Sequence, residues 1–173
     1  MRRLVLAPLA FVLCLALIAL SPLVLLVGAV VDLAMRGRPN HFRTVRLFTF
    51  LVGYLVLEVA SFVVMLVLWV ASGFGATMKS ERMQDKHYGF MRWWLLQINR
   101  LAHRTFGLRV QIEDPPTPRA GPVLIFARHA GPGNSLLVVG TLLVGYRRRP
   151  RIVMLAKLQW EPLYDIMLNR LPN

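Results

Sequence analysis

The stretch that decides the fold is residues 4–31, LVLAPLAFVLCLALIALSPLVLLVGAVV, which contain no charged side chain. About 20 consecutive apolar residues are enough for a helix that spans a bilayer. Arg2 and Arg3 precede the run, and residues 19–21 are similar to a cleavage site, so a cleaved signal peptide is the competing interpretation. The run continues well beyond Pro22, which favours an uncleaved transmembrane helix.

A second apolar run extends from Leu47 to Val70 and is interrupted only by Glu58. Residues 32–46 between the two runs are polar and form a short turn. Two apolar helices joined in this way predict a transmembrane helical hairpin in residues 1–74.

Glu58 shares one helix face with Tyr54 and Ser61, because these residues are spaced four and three apart. A carboxyl group at membrane depth is costly and normally faces a partner. One interpretation is a polar contact with another helix or with a lipid headgroup. The other is a protonated carboxyl that hydrogen-bonds within the hairpin.

The orientation of the hairpin is ambiguous, because basic residues flank both ends of the second run. The turn carries Arg36, Arg38, Arg43 and Arg46, and the segment after the second run carries Lys79, Arg82, Lys86 and Arg92. The positive-inside tendency favours the cytoplasmic side for both groups, and we expect the rest of the chain on that side. A shallow hairpin that enters and leaves the same face would reconcile the two groups.

The charge of the chain indicates an anionic partner. The 173 residues include 21 Lys and Arg against 8 Asp and Glu, a net charge of +13. Anionic lipid and nucleic acid both suit such a charge, but the apolar runs favour lipid, and no nucleic-acid-binding module is recognisable. Cys14 is the single cysteine, which excludes an internal disulfide or a thiolate metal site, and we expect no metal.

Residues 75–107 are predicted to be a linker that ends in an amphipathic helix at 88–106. Its apolar positions recur at helical spacing, and Trp93 and Trp94 beside arginines are typical of a helix at the headgroup level. Packing of the same helix on a protein core is the alternative.

Residues 108–173 are predicted to begin an α/β domain with an open mixed sheet. Alternation at 108–112 and continuous apolar runs at 123–127 and 152–156 predict strands. Helices are predicted at 135–146 and 162–169.

The most informative motif is residues 123–135, VLIFARHAGPGNS. His129 follows the predicted strand, at the edge where α/β proteins bind ligands. Gly131 and Gly133 allow a substrate to approach the backbone closely. The start of the next helix offers unpaired amides to an anion such as phosphate.

This arrangement resembles the first block of the glycerolipid acyltransferases, the family that includes 1-acylglycerol-3-phosphate acyltransferase. The family signature is H-x-x-x-x-D after an apolar membrane segment, and here His129 is followed after four residues by Asn134. The resemblance extends from about Trp93 to the end of the chain. Residues 157–162 (KLQWEP) and 169–173 (NRLPN) resemble the approach to the family's second block.

The resemblance implies an O-acyltransferase of phospholipid synthesis in which His129 is the general base. The acyl donor is acyl-CoA or an acyl carrier protein, and no further cofactor is implied. The candidate substrate-binding residues, for phosphate or close approach, are Arg128, Gly131, Gly133, Lys157 and Arg170. The remaining arginines at 147–149 and 151 fit a solvated or headgroup-facing patch.

Asn134 stands where the family has an aspartate that orients the imidazole, so activity is expected to be reduced or lost. Asparagine caps helices as well as aspartate does, so helix geometry is expected to survive. The family's later blocks do not occur before Asn173, which predicts a truncated product. The alternative function is a non-catalytic membrane protein that binds anionic lipid or a partner helix.

Overall fold

The computed structural model describes residues 2–35, 42–112, 121–127, 133–153 and 156–172. Within them, the regular structure is helical throughout and contains no β-strand. The α-helices are α1 (Arg2–Ala34), α2 (Arg43–Ala71), α3 (Glu81–Phe106), α4 (Asn134–Gly140) and α5 (Pro162–Leu168). Helix α4 continues into a π-helical turn, Thr141–Gly145, and a 3-10 turn, Ala156–Trp160, precedes α5.

Helices α1 and α2 pack against each other as the predicted hairpin, and each is long and apolar enough to cross a membrane. Asp32, near the end of α1, ties the two together. Its carboxylate accepts hydrogen bonds from the backbone N–H groups of Thr44 (3.1 Å) and Val45 (2.9 Å). These N–H groups belong to the first turn of α2 and have no partner inside their own helix. Asp32 of α1 therefore caps α2 and holds the end of α1 against the start of α2.

The remaining helices form a second layer on one side of the hairpin, and the core lies between the layers. Ser80 caps the start of α3, because its hydroxyl accepts a hydrogen bond from the backbone N–H of Met83 (3.4 Å). The predicted helix at 88–106 is confirmed and extends back to Glu81. Its apolar face packs on α2 and on the C-terminal helices, and Trp94, at the centre of the core, is 1% exposed.

The predicted α/β domain with an open mixed sheet is wrong. Residues 108–112 and 121–127 have no regular structure, and Leu124 and Phe126 are 79% and 89% exposed. The predicted strand at 152–156 is also incorrect: 152–153 are irregular, 154–155 lie outside the described residues, and Ala156 begins the 3-10 turn. Helices were correctly predicted at 135–146 and 162–169. Because α3 and α5 bury their apolar faces against α2, the core forms without a sheet.

Gly53 of α2 allows α3 to approach closely. A Cβ atom at this position would lie 2.7 Å from Cδ1 and 2.8 Å from Cδ2 of Leu101. We expect Gly53→Val to lower the free energy of unfolding by about 1–3 kcal/mol, because overpacking forces neighbouring side chains or helices apart. Denaturant titration of the purified protein in detergent, followed by far-UV circular dichroism, measures this change.

Gly89 supplies the matched control, because it lies inside α3 and nothing is within 4 Å of a Cβ atom placed there. Gly89→Ala should therefore raise stability by about 0.5–1 kcal/mol, since alanine restricts the unfolded chain more than glycine does. Equal effects of the two substitutions would contradict close packing of α2 on α3.

Candidate functional site

The centre of the predicted site, with Arg128, His129 and Gly131, lies at 128–132, outside the described residues. The structure describes the two residues that follow. Gly133 is exposed, and Asn134 is half-buried as the first residue of α4. The motif histidine therefore precedes α4 by five positions in the chain.

Helix α4 and its π-helical turn are held against α3. The guanidinium Nε of Arg92 donates a hydrogen bond to the carbonyl oxygen of Leu143 (2.9 Å). The Leu143 side chain is fully buried, and Gly140 lies beside Asn99, with 4.0 Å from a Cβ atom placed there to Nδ2 of Asn99. A π-helical turn has one residue more than an α-helical turn, and such turns are frequent near functional sites. The segment after the motif is thus held against α3, the helix that is predicted to lie at the headgroup level.

The other described candidates lie in different elements. Lys157 is exposed in the 3-10 turn. Arg170 follows α5 and is half-buried, and its Nη1 donates a hydrogen bond to the carbonyl oxygen of Met65 in α2 (2.7 Å). Arg170 therefore connects the end of α5 to the hairpin, and its role in substrate binding stays a prediction.

A cluster of polar side chains lies between α2 and α5, which we call the tyrosine–carboxyl cluster: Tyr54, Glu58, Glu161 and Tyr164. The side chains of these four residues lie near enough to one another to interact electrostatically. Glu58 is 5% exposed. Glu161 and Tyr164 were missed, because no local pattern links them to α2.

Glu161 caps α5, and its carboxylate accepts hydrogen bonds from the backbone N–H groups of Leu163 (3.2 Å) and Tyr164 (2.6 Å). Burial nevertheless raises the pKa of the Glu161 carboxyl above its usual range, although the two backbone donors lower it, and the Asp165 carboxylate adds to the increase. Desolvation of the charged form thus outweighs the capping hydrogen bonds.

Stability should therefore depend on the protonation of Glu161. A raised pKa in the folded state means that the folded protein binds the proton more tightly than the unfolded chain. The contribution of Glu161 protonation to the stability of the fold is fully present below the pKa of the unfolded chain, near 4.5. It is lost as the pH rises through the pKa of the folded protein. We expect Glu161→Gln to remove this loss. Denaturation midpoints of the unmodified protein and of Glu161→Gln, measured between about pH 4 and pH 8, test this prediction. A difference between the two midpoints that stays the same at all pH values would contradict it.

His87 in α3 is a second buried polar group that the sequence did not single out. Its side chain is fully buried, and one ring nitrogen, Nδ1, donates to the carbonyl oxygen of Met83 (2.7 Å). The other nitrogen, Nε2, has no hydrogen-bond partner in the described part of the chain. Burial lowers the pKa of His87 and so favours the neutral imidazole, and the ring lies buried in the core.

The arginines at 147–149 are partly engaged within the protein. Nη1 of Arg148 donates to the carbonyl oxygen of Gly121 (2.9 Å). Arg149 forms a salt bridge with Asp85 and lies 5.8 Å from the centroid of the Tyr88 ring. The two contacts of Arg149 join the segment after α4 to α3.

Comparison of the chain with known protein families, curated proteins and solved structures finds no match. The acyltransferase resemblance therefore depends on the motif residues themselves. Among the described residues, no group of three or more His, Cys, Asp or Glu side chains is placed to hold a metal ion.

Proposed function

We propose that this protein acts at a membrane surface as an O-acyltransferase of glycerolipid synthesis, with His129 as the general base. The observation that carries the proposal is the spacing His129-x4-Asn134, whose last residue is the first residue of α4. The proposed acceptor is the hydroxyl group of a lysoglycerophosphate. The proposed donor is the thioester of acyl-CoA or acyl carrier protein.

The reaction needs one residue to move a proton twice. The His129 imidazole takes the proton of the acceptor hydroxyl while the oxygen attacks the thioester carbonyl carbon. The carbon–sulfur bond then breaks, and the imidazolium returns the proton to the departing thiolate. An ester and a free thiol result, and the histidine is regenerated.

Two features of the structure support a reaction at the bilayer. Helices α1 and α2 have the length and composition of membrane-spanning helices, and their exposed apolar side chains suit lipid contact. Helix α4, which follows the motif, is anchored through Leu143 to Arg92 of α3, which packs directly on α2. A lysolipid in a bilayer has its hydroxyl group near the headgroups, which is where the proposal requires the motif to lie.

Transfer of a radiolabelled acyl group from acyl-CoA to lysophosphatidic acid tests the proposal, with the protein reconstituted in phospholipid vesicles. We expect labelled phosphatidic acid to form, and we expect His129→Ala to reduce the rate by about 10²–10⁴-fold, the usual contribution of a general base. Because acyl carrier protein is the other proposed donor, the assay is repeated with acyl-ACP.

His103→Ala is the matched control, because His103 is an exposed histidine near the end of α3. It should leave the rate close to that of the unmodified protein. Product formation that is absent with both donors, or that is unchanged in His129→Ala, would refute the proposal.

A non-catalytic lipid-binding protein is the second candidate, and one observation favours it. Asn134 replaces the charged partner that the resemblance implies for the imidazole. Binding without catalysis would appear in the same vesicles as association that depends on anionic lipid and weakens with salt, with no labelled product.

A further inference from the structure

Helix α5 is attached to α2 by polar side chains at both of its ends. At one end Glu161 caps α5, and its carboxyl is near enough to that of Glu58 in α2 to interact electrostatically. At the other end Arg170 donates its hydrogen bond to the carbonyl oxygen of Met65, which is also in α2. Because Glu58 and Met65 are about 10 Å apart along their helix, α5 lies lengthwise on α2 between the two attachments.

The apolar side of α5 is buried between these attachments. Leu163, Met167 and Leu168 are buried, and they share one core with Met65 of α2 and with the buried face of α3. Helix α3 also packs on α2 directly. If α5 were released, part of the core would be uncovered, but the contact between α2 and α3 would remain.

The attachment at Glu161 contains acidic groups without a base. The titratable groups that interact with its two carboxyls are Cys14 of α1, Tyr54 of α2, and Tyr164 and Asp165 of α5. No Lys, Arg or His in the part of the chain that the structure describes forms an ion pair with Glu58 or Glu161. Arg170 and the buried His87 of α3 interact with each other at the opposite end of α5, and Lys157 in the preceding 3-10 turn is exposed.

Two carboxylates at such an interface are unfavourable, because each loses its hydration and is repelled by the other. With no cation beside them, the docked helix therefore retains a proton on the pair. Burial raises the pKa of Glu161 in the docked state, which agrees with this requirement. Once α5 leaves α2, Glu161 reaches water and binds a proton no more tightly than an ordinary carboxyl.

We propose that α5 is a proton-dependent latch, which docks on the hairpin while the Glu58–Glu161 pair holds a proton and is released when the pair loses it. The docked state binds the proton more tightly than the released state. Docking is therefore complete at low pH and is lost as the pH rises through the pKa of the docked pair. The latch does not depend on the proposed acyl transfer.

Hydrogen exchange of the backbone amides, followed by mass spectrometry of the whole protein in detergent, tests the latch between about pH 6 and pH 9. The exchange rate at each pH is divided into the rate of an unstructured peptide to give a protection factor. We expect the protection factor of α5 to fall by up to about tenfold for each pH unit above the pKa of the docked pair, because release frees one proton. The amides at 90–98 in α3 should keep a constant protection factor.

The double variant Glu58→Gln/Glu161→Gln removes both carboxyls and keeps side chains that can form hydrogen bonds. Its α5 protection factor should not change with pH. Glu81→Gln is the matched control, because Glu81 is an exposed acid in the first turn of α3, and it should behave as the unmodified protein does.

Three results would overturn the latch. The first is an α5 protection factor in the unmodified protein that does not change with pH. The second is the same pH dependence in the double variant as in the unmodified protein. The third is a loss of protection in α3 that accompanies the loss in α5, because the whole protein would then unfold and α5 would not be released by itself.

Discussion

Asn134→Asp is expected to raise the rate of acyl transfer in vesicles by up to about 10⁴-fold. This is the size of the effect that the reverse exchange has in the serine proteases, where a carboxylate orients the histidine and stabilises its positive charge. An asparagine oxygen can accept the imidazole N–H, but it carries no charge to stabilise the imidazolium. The initial rate of labelled phosphatidic acid formation, at saturating donor and acceptor, measures the gain.

The helix should tolerate this exchange. Asn134 is the first residue of α4, and a carboxylate there interacts favourably with the positive end of the helix. Asn134→Ala is the control, because it removes the amide without adding a charge, and we expect no gain from it. A rate in Asn134→Asp no higher than in the unmodified protein would mean that position 134 does not assist His129.

Trp94→Ala is expected to lower the free energy of unfolding by about 3–5 kcal/mol, the usual cost of removing a large aromatic side chain from a core. Trp94 is 1% exposed and its ring contacts that of Tyr54 edge-on, with centroids 6.3 Å apart. Since it lies where α2 and α3 meet, the cavity would weaken the contact between the two layers. Chemical denaturation in detergent, monitored by far-UV circular dichroism, measures the loss.

The neighbouring Trp93 provides a matched control with the same chemistry and the opposite environment. It is 41% exposed, and its ring stacks on that of the buried Phe90, with ring centroids 5.6 Å apart. We expect Trp93→Ala to cost about 1 kcal/mol or less. If both substitutions cost the same, the core does not lie between the hairpin and α3.

The hairpin was predictable because its signal is local. A charge-free run such as 4–31 is rare in water-soluble proteins and has few structural solutions. The grouping of Tyr54, Glu58 and Ser61 on one face followed from helical spacing alone, and the structure confirms that Glu58 and Ser61 are buried. The start of α3 was missed, because Met83 is the single apolar residue among residues 81–86, so no apolar pattern follows the cap, Ser80.

The sheet was predicted incorrectly because a strand depends on partners that are distant in sequence. A five-residue apolar run such as 123–127 fits a buried strand, but local periodicity cannot tell whether the run finds partners to pair with, and in the structure it is irregular and exposed. In the structure, α3 and α5 occupy the apolar surface of α2. The same non-local dependence explains why Glu161 and Tyr164 were not assigned to the tyrosine–carboxyl cluster.

The most direct test of the central claim compares acyl transfer by Asn134→Asp with that by the double variant His129→Ala/Asn134→Asp. If the histidine moves the proton of the acceptor hydroxyl, the gain from the aspartate disappears completely when His129 is removed. A double variant that keeps the faster rate would contradict the account, because the new carboxylate would then act without the imidazole.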